Sequence, residues 1–110
     1  MIPIDIFFND IKTVKAINRH VKHHKPKDLL RTATGDAGLY ISALSAAERY
    51  GGTQKTYSDI VKTLAALYVS IHVITVLYGA QKDTFEEIKR IIKQLDTDLP
   101  QEVRAHEDLL

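Results

Sequence analysis

The apolar segment LAALYVSIHVITVLY (64–78) constrains the fold more than any other part of the chain. It runs for roughly 15 residues, interrupted only by Ser70, His72 and Thr75, whereas a helix needs about 20 apolar residues to cross a bilayer. Its centre, VSIHVITV (69–76), is rich in β-branched residues, as a strand would be. Three features nevertheless favour a buried helix for this segment: the flanking KTLAAL, the uninterrupted length and the lack of a strand to pair with. Because it is apolar almost all round, it must be covered on several sides, which predicts homo-oligomerisation through residues 64–78.

The rest of the chain has the periodicity of further helices. Apolar residues recur at spacings of three and four, which predicts helices over about residues 5–24, 28–50 and 58–78, and from about 85 to 95. The predicted end signals are Lys25-Pro26, Gly51-Gly52 and Gly79, with Thr56 or Ser58 as one N-cap and Thr84 with Glu87 as a capping box. Short connections then predict an all-α antiparallel four-helix bundle, completed by homo-oligomerisation. Residues 1–95 would form one helical domain, and residues 96–110 an acidic C-terminal tail or a short helix.

The second predicted helix carries two stripes of different character. The apolar stripe expected to face the core comprises Leu29, Leu30, Ala33, Ala37, Tyr40, Ile41, Leu44 and Ala47. The second stripe consists of the small residues Gly35, Gly38, Ser42 and Ala46. A glycine inside a helix costs about 1 kcal/mol relative to alanine. The small stripe therefore predicts that another helix approaches closely and compensates for this cost.

Composition and charge limit the class of protein. The chain has no cysteine, which excludes disulfides and thiolate metal sites. The opening MIPIDIFFND has no basic segment before its apolar residues, so we expect a cytoplasmic protein without membrane association. The net charge is +1, but residues 1–50 hold eight Lys/Arg against five Asp/Glu (+3), and residues 51–110 hold seven against nine (−2). The basic excess lies between Lys12 and Arg31, which suits phosphate-bearing ligands.

Two segments resemble helices of the all-α nucleoside triphosphate pyrophosphohydrolases, the MazG-like superfamily. The segment TGDAGLYISAL (34–44) occupies the place of the family's EExxE helix and keeps its ending, Ala43-Leu44. The segment KTLAALYVSIHVITVLYG (62–79) keeps the apolar run and the aromatic-glycine stop of the helix that carries the ExxD pair. TFEEIKRIIKQL matches the charged helix that follows. The resemblance covers residues 29–95 and implies a helical scaffold that binds nucleotides with Mg²⁺.

The chain departs from this family at the metal ligands. Gly35, Asp36 and Leu39 stand where the resemblance implies three glutamates, and Thr63 and Ala66 stand where it implies the ExxD pair. Mg²⁺ requires oxygen ligands in near-octahedral geometry, mostly carboxylates and substrate phosphates. We therefore expect no catalytic residues, no cofactor and no metal site of the family type, and a chain that is more a binding protein than an enzyme.

The histidines are weak candidates for a metal site. His20, His23 and His24 have spacings of three and four that would present two imidazoles to one metal, with His20 and His24 as the candidate pair. The simpler interpretation is that they interact with the dipole at a helix C-terminus. His72 would be an acid–base group or, more simply, a packed histidine bonded to the backbone or to a tyrosine.

Basic residues offer two further candidates. The stripe formed by Lys12, Lys15, Arg19 and Lys22 suits nucleic acid, although it is also typical of a solvated helix face. The segment GGTQKT (51–56) lacks the spacing of a phosphate-binding loop and predicts a helix stop and connector, with Lys55 placed to touch an anion at the next helix N-terminus.

These patterns predict a non-catalytic regulatory or binding protein on a MazG-like scaffold, acting through a nucleotide-like ligand or a protein partner. Short helical chains of this kind are also typical of phage or mobile-element regulators, including inhibitors of host defence. The candidate ligand-binding residues are Lys12, Lys15, Arg19, Asp36, Tyr40, Lys55 and Thr63. Two alternatives remain open. One is a divergent Mg²⁺-dependent pyrophosphohydrolase that uses Asp59, Glu86 and Glu87, and the other is nucleic-acid binding through the basic first helix.

Overall fold

The computed structural model describes residues 10–108 of the chain. This part of the chain contains five helices and no strand, which confirms the all-α prediction and the helical interpretation of the apolar segment. The helices are α1 (Ile11–Lys22), α2 (Pro26–Tyr50), α3 (Gln54–Leu77), α4 (Gln81–Thr97) and α5 (Gln101–Asp108). The packing divides the chain into two compact units, Met1–Gly79 and Ala80–Leu110. The first unit contains α1, α2 and α3, and the second contains α4 and α5.

Helix α1 is shorter than the predicted helix over residues 5–24. Asp10 is its N-cap, because the Asp10 carboxylate accepts hydrogen bonds from the backbone N–H of Thr13 (3.2 Å) and from the Thr13 hydroxyl (2.7 Å). The same bonds hold the pKa of Asp10 below its usual value. The helix ends at Lys22, ahead of the predicted proline stop. The part of the prediction over residues 5–9 lies outside the described residues.

Helices α2 and α3 form a hairpin with a three-residue connection. Helix α2 begins at Pro26 rather than Asp28, because a proline at the first helical position lacks only an N–H that would be unpaired anyway. It ends at Gly51, whose φ of 78° is readily available to glycine.

The N-cap of α3 is Thr53, not Thr56 or Ser58 as predicted. The Thr53 hydroxyl accepts a hydrogen bond from the backbone N–H of Thr56 at 3.1 Å. Thr56 lies inside the first turn, and its own hydroxyl donates to the carbonyl oxygen of Gly51 at 2.8 Å. These bonds tie the end of α2 to the start of α3 and leave room for only a tight turn between them.

The second unit also corrects a boundary. Helix α4 starts at Gln81, and the backbone N–H of Thr84 donates to the carbonyl oxygen of Ala80 at 2.9 Å. Thr84 is therefore already helical, so the predicted capping box with Glu87 is wrong. Glu87 instead forms an ion pair with Arg90, which lowers the pKa of Glu87. Within the residues that follow Leu95, α5 forms a short helix.

The apolar core of the described residues is small. Its buried apolar members are Leu29 and Ala43 on α2 and Val73 on α3. Leu30, Ile41 and Leu44, which the periodicity predicts to be in the core, are exposed. The small stripe is also unmatched within the described part of the chain, because a Cβ built at Gly35 or at Gly38 would meet no atom within 4 Å. The prediction of close helix approach at these two glycines therefore fails within a single copy.

Helix α3 is long and apolar enough to cross a membrane on length and composition alone. An 18-residue stretch of it has a mean hydropathy of 1.9, and 22% of that stretch is buried. Core helices of soluble proteins meet the same criterion. What distinguishes α3 is that much of its apolar surface remains exposed.

Candidate functional site

One side-chain hydrogen bond joins the middle of α2 to the C-terminal half of α3. The hydroxyl of Ser70 donates to Asp36 Oδ2 at 2.5 Å. Asp36 and Ser70 are equally far from Thr53 along the sequence, one before it and one after it. This is expected for facing residues of two antiparallel helices joined by a tight connection. Ser70 is buried and Asp36 is half-buried. A polar contact thus lies within an otherwise apolar helix pair.

An open cleft of about 460 Å³ lies beside this contact, between α1, α2 and α3. Its lining is mainly apolar and comprises Ala16 and Ile17 from α1, Leu29 from α2, and Ala66, Val69 and Val73 from α3. Its polar members are His20 from α1, Thr32 and Asp36 from α2, and Ser70 from α3. We call this site the Asp36 cleft. Its volume falls within the range of about 300–1,000 Å³ that is usual for small-ligand sites.

The predicted ligand-binding residues are only partly brought together. Asp36 lines the cleft, but Tyr40 and Thr63 do not, although both are half-buried. The Thr63 hydroxyl donates to the backbone oxygen of Asp59 at 2.7 Å. Lys55, which is expected from the sequence to contact an anion at the helix N-terminus, instead forms an ion pair with the Asp59 carboxylate (3.0 Å).

The basic residues of α1 do not line the Asp36 cleft. Lys12, Lys15, Arg19 and Lys22 are all exposed. They lie on the helix that forms one wall of the cleft, and their spacing of three and four places them on one stripe. The stripe is accessible to a polyanion.

The histidine pair is arranged as an end-of-helix contact. The ring centroids of His20 and His24 are 4.0 Å apart, and His24 Nδ1 donates to the backbone oxygen of His20 at 2.7 Å. Among residues 10–108 no three His, Cys, Asp or Glu side chains lie close enough to hold a metal ion. The arrangement stabilises the C-terminal end of α1.

A second surface on the same unit is defined by exposed apolar side chains. We call it the apolar face; it comprises Leu30, Ile41 and Leu44 on α2 and Tyr57, Val61, Leu64 and Ile71 on α3. Each of these residues is between 40 and 65% exposed. On α3 they follow a heptad pattern, because positions 57, 61, 64, 68 and 71 alternate steps of four and three. Such a seam is typical of a helix that packs against another helix.

Most of the apolar face points away from the cleft. At about 100° per residue, Ile41 lies about 140° around α2 from Asp36. By the same geometry, Leu64 lies about 180° around α3 from Val73, which lines the cleft. Because α1 forms the cleft side, Ile41 and Leu64 face away from α1. No residue of the apolar face lines the cleft, so the hairpin carries a ligand-sized recess and a separate apolar surface.

His72 lies near the end of the seam and is buried. The ring centroids of His72 and Tyr68 are 4.9 Å apart, so His72 is packed against a tyrosine ring. Burial lowers the pKa of His72 because the charged imidazolium loses hydration. Burial therefore favours the neutral form of the ring.

Two features of these sites were not anticipated from the sequence. Ser70 appears there only as an interruption of the apolar run, and its partner 34 residues away is set by the hairpin register. The heptad spacing on α3 is present in the sequence and would have identified the seam, but the apolar character of the whole helix obscures it.

Comparison with protein-family models, curated proteins and solved structures finds no match to this chain. The resemblance to the MazG-like superfamily therefore remains a prediction. The functional inferences that follow rest on the apolar face, the basic stripe and the Asp36 cleft.

Proposed function

We propose that this chain is a non-catalytic helical binding protein that works as a homo-oligomer. Two α2–α3 hairpins would pair through the apolar face and complete an antiparallel four-helix bundle between copies. The single observation that supports this proposal is the apolar face itself, which remains exposed although the described core contains only three buried apolar residues. The largest apolar patch of a soluble protein is often an interaction site.

The exposed area matches what a stable interface needs. Taking roughly 60–120 Å² for an aliphatic side chain and 150–250 Å² for an aromatic one, the seven residues expose roughly 300–500 Å² of apolar surface per copy. A standard interface buries about 800 Å² per partner, of which about 450–520 Å² is apolar. At about 25 cal/mol per Å², two copies would gain roughly 15–25 kcal/mol against an association cost of about 4–15 kcal/mol.

A second copy fits this surface better than a charged partner. The heptad positions on α3 and the exposed stripe on α2 contain no charged side chain. A heptad seam pairs well with an identical seam, because each side chain enters the gap between side chains of the other helix. A two-fold axis would place the same patch on both sides of the interface.

A lipid bilayer is a poorer match for α3. Its first nine residues contain Lys55, Asp59 and Lys62, and the uncharged part from Leu64 to Leu77 spans only about 21 Å at 1.5 Å per residue. The hydrocarbon core of a bilayer is about 30 Å thick. This mismatch favours burial against protein.

A Mg²⁺-dependent pyrophosphohydrolase receives little support from the acids suggested for it. Asp59 is paired with Lys55, and Glu86 and Glu87 are paired with Lys89 and Arg90 on their own helix. Asp36 is the one carboxylate in the family-like region that lines the cleft. The resemblance, if it reflects ancestry, would then concern the scaffold and not the reaction.

Sedimentation equilibrium of the purified chain at micromolar concentration tests the oligomer. We expect a mass of at least twice the chain's 12.4 kDa. A monomer across the whole micromolar range would overturn the proposal. Incubation with Mg²⁺ and a panel of nucleoside triphosphates tests whether the protein is non-catalytic. Pyrophosphate release that disappears in Asp36→Ala would identify the protein as an enzyme.

Nucleic-acid binding is a second candidate, favoured by the exposed basic stripe on α1. Contacts to phosphates would come from Lys12, Lys15, Arg19 and Lys22. Such binding releases counterions and weakens steeply as salt rises. The stripe and the apolar face are on different surfaces of the first unit, so one homo-oligomer would display at least two stripes to a polyanion.

A further inference from the structure

The carboxylate of Asp36 has no cationic partner in the described part of the chain. Its contact there is the hydrogen bond from Ser70 to Oδ2, and no Lys or Arg side chain forms an ion pair with it. The group is half-buried among Leu29, Val69 and Val73 in the cleft wall. A carboxylate that loses water without gaining a cation raises the free energy of the fold. A cationic ligand would remove this cost.

The Ser70 hydroxyl prepares the carboxylate for such a ligand. It holds Oδ2 from the α3 side, which restricts the Asp36 side chain and leaves Oδ1 to accept a further hydrogen bond. Ser70 is itself buried and Asp36 is half-buried, so the bond is only partly exposed to water. A group fixed before binding loses less conformational entropy when the ligand arrives.

We propose that the Asp36 cleft binds a small molecule that carries a protonated amine on an apolar body. The ammonium would donate to Asp36 Oδ1, and the apolar part would lie against Ile17, Leu29 and Val73. The hydroxyl of Thr32 and the ring of His20 supply further polar atoms at the cleft wall. The cleft volume of about 460 Å³ accommodates an arylalkylamine.

The same geometry disfavours a phosphate in this cleft. Asp36 would repel an anion, and neither the α1 basic stripe nor Lys55 lines the cleft. Binding of an amine here is independent of self-association, because no residue of the apolar face lines the cleft.

The test is an NMR titration of the full chain with phenethylamine, compared with 2-phenylethanol and phenylacetate. These three probes share an aromatic ring and a short linker and differ in charge. We expect saturable shifts at Ile17, Leu29 and Val73 with a millimolar dissociation constant for the amine, as is usual for a ligand of this size, and weaker binding of the other two. Equal binding of the amine and the alcohol would overturn the proposal, as would the absence of saturable shifts with the amine.

Three variants locate the site. Asp36→Asn keeps an acceptor for Ser70 and should weaken amine binding about tenfold, the usual effect of losing a charge-assisted hydrogen bond. Ala66→Leu keeps the carboxylate but fills the cleft, and it should abolish amine binding. Asp28→Asn removes an exposed carboxylate from the first turn of the same helix, outside the cleft, and should leave binding unchanged.

Circular dichroism on each variant establishes that it is folded. If Asp36→Asn unfolds, Ala66→Leu decides the question, since a folded variant that still binds the amine would refute the site. Unchanged affinity in a folded Asp36→Asn would refute it equally. A monomeric wild-type chain that binds the amine would leave this inference standing while overturning the homo-oligomer.

Discussion

Introducing a charge at the centre of the apolar face gives the sharpest test of self-association. Ile41 lies on α2 within this face and is 63% exposed in the single chain. Because it is exposed there, Ile41→Glu should change the stability of an isolated copy by no more than about 0.5 kcal/mol. The substitution therefore separates an effect on association from an effect on folding.

The expected loss follows from the exposed fraction. Full burial of an isoleucine side chain is worth about 1.5–3 kcal/mol, so burying the exposed 63% contributes about 1–2 kcal/mol per copy. A two-fold dimer contains the residue twice, which gives about 2–4 kcal/mol. This corresponds to about a 30- to 700-fold rise in the dissociation constant, before the added cost of burying a carboxylate.

Sedimentation velocity over a concentration series measures this change. Leu95→Glu is the matched control, because Leu95 is 64% exposed on α4 and lies in the second unit, outside the apolar face. We expect Ile41→Glu to move the association midpoint to higher concentration and Leu95→Glu to leave it in place. An unchanged midpoint for Ile41→Glu, or the same shift in both variants, would refute the assignment of the interface.

Three further predictions concern stability and binding. Burial lowers the pKa of His72 below 6.5, so the unfolded state binds the additional proton and the contribution to the free energy of unfolding should be full above pH 6.5 and fall as the pH drops below it. In His72→Gln the urea midpoint should lose this dependence on pH, whereas an exposed control, His106→Gln, should keep it. Thr53→Ala removes the N-cap of α3 and should cost about 1 kcal/mol in urea unfolding, while Thr53→Ser should cost much less; equal losses would contradict the capping role. If the α1 stripe binds nucleic acid, charge reversal at Lys15 and Arg19 should reduce both the affinity for nucleic acid and its salt dependence. An unchanged affinity would eliminate nucleic-acid binding through this stripe.

The glycine stops and the helical periodicity were sufficient to predict the fold class. Gly51 ends α2 with a positive φ, as a local signal should, and the apolar segment 64–78 lies in a helix as its length indicates. Caps were harder to predict, because several hydroxyl residues stand near each helix start. Thr53 rather than Thr56 is the N-cap of α3 because of the tight turn after Gly51, and that turn depends on how the two helices meet.

The candidate site was only partly predictable. Asp36 was identified because it is the one acid in its segment, and it does line the cleft. The spacing predicts that Tyr40 and Thr63 lie beside Asp36. Tyr40 follows Asp36 by four residues and Thr63 precedes Ala66 by three, so both share a helix face with lining residues but lie beyond the cleft along the helix axis. Spacing defines a direction on one helix, whereas the extent of a cleft along that helix depends on where the other two helices meet it.

The sequence by itself determined that this chain forms helices, where most of them end, and which helix is the most apolar. These properties follow from local periodicity and backbone preference. The tertiary structure decided which residues are covered: Ser70 meets Asp36, Ile41 and Leu64 stay exposed, and the basic stripe stays apart from the cleft. Burial is a property of helix faces brought together in space, and no single helix specifies its neighbour.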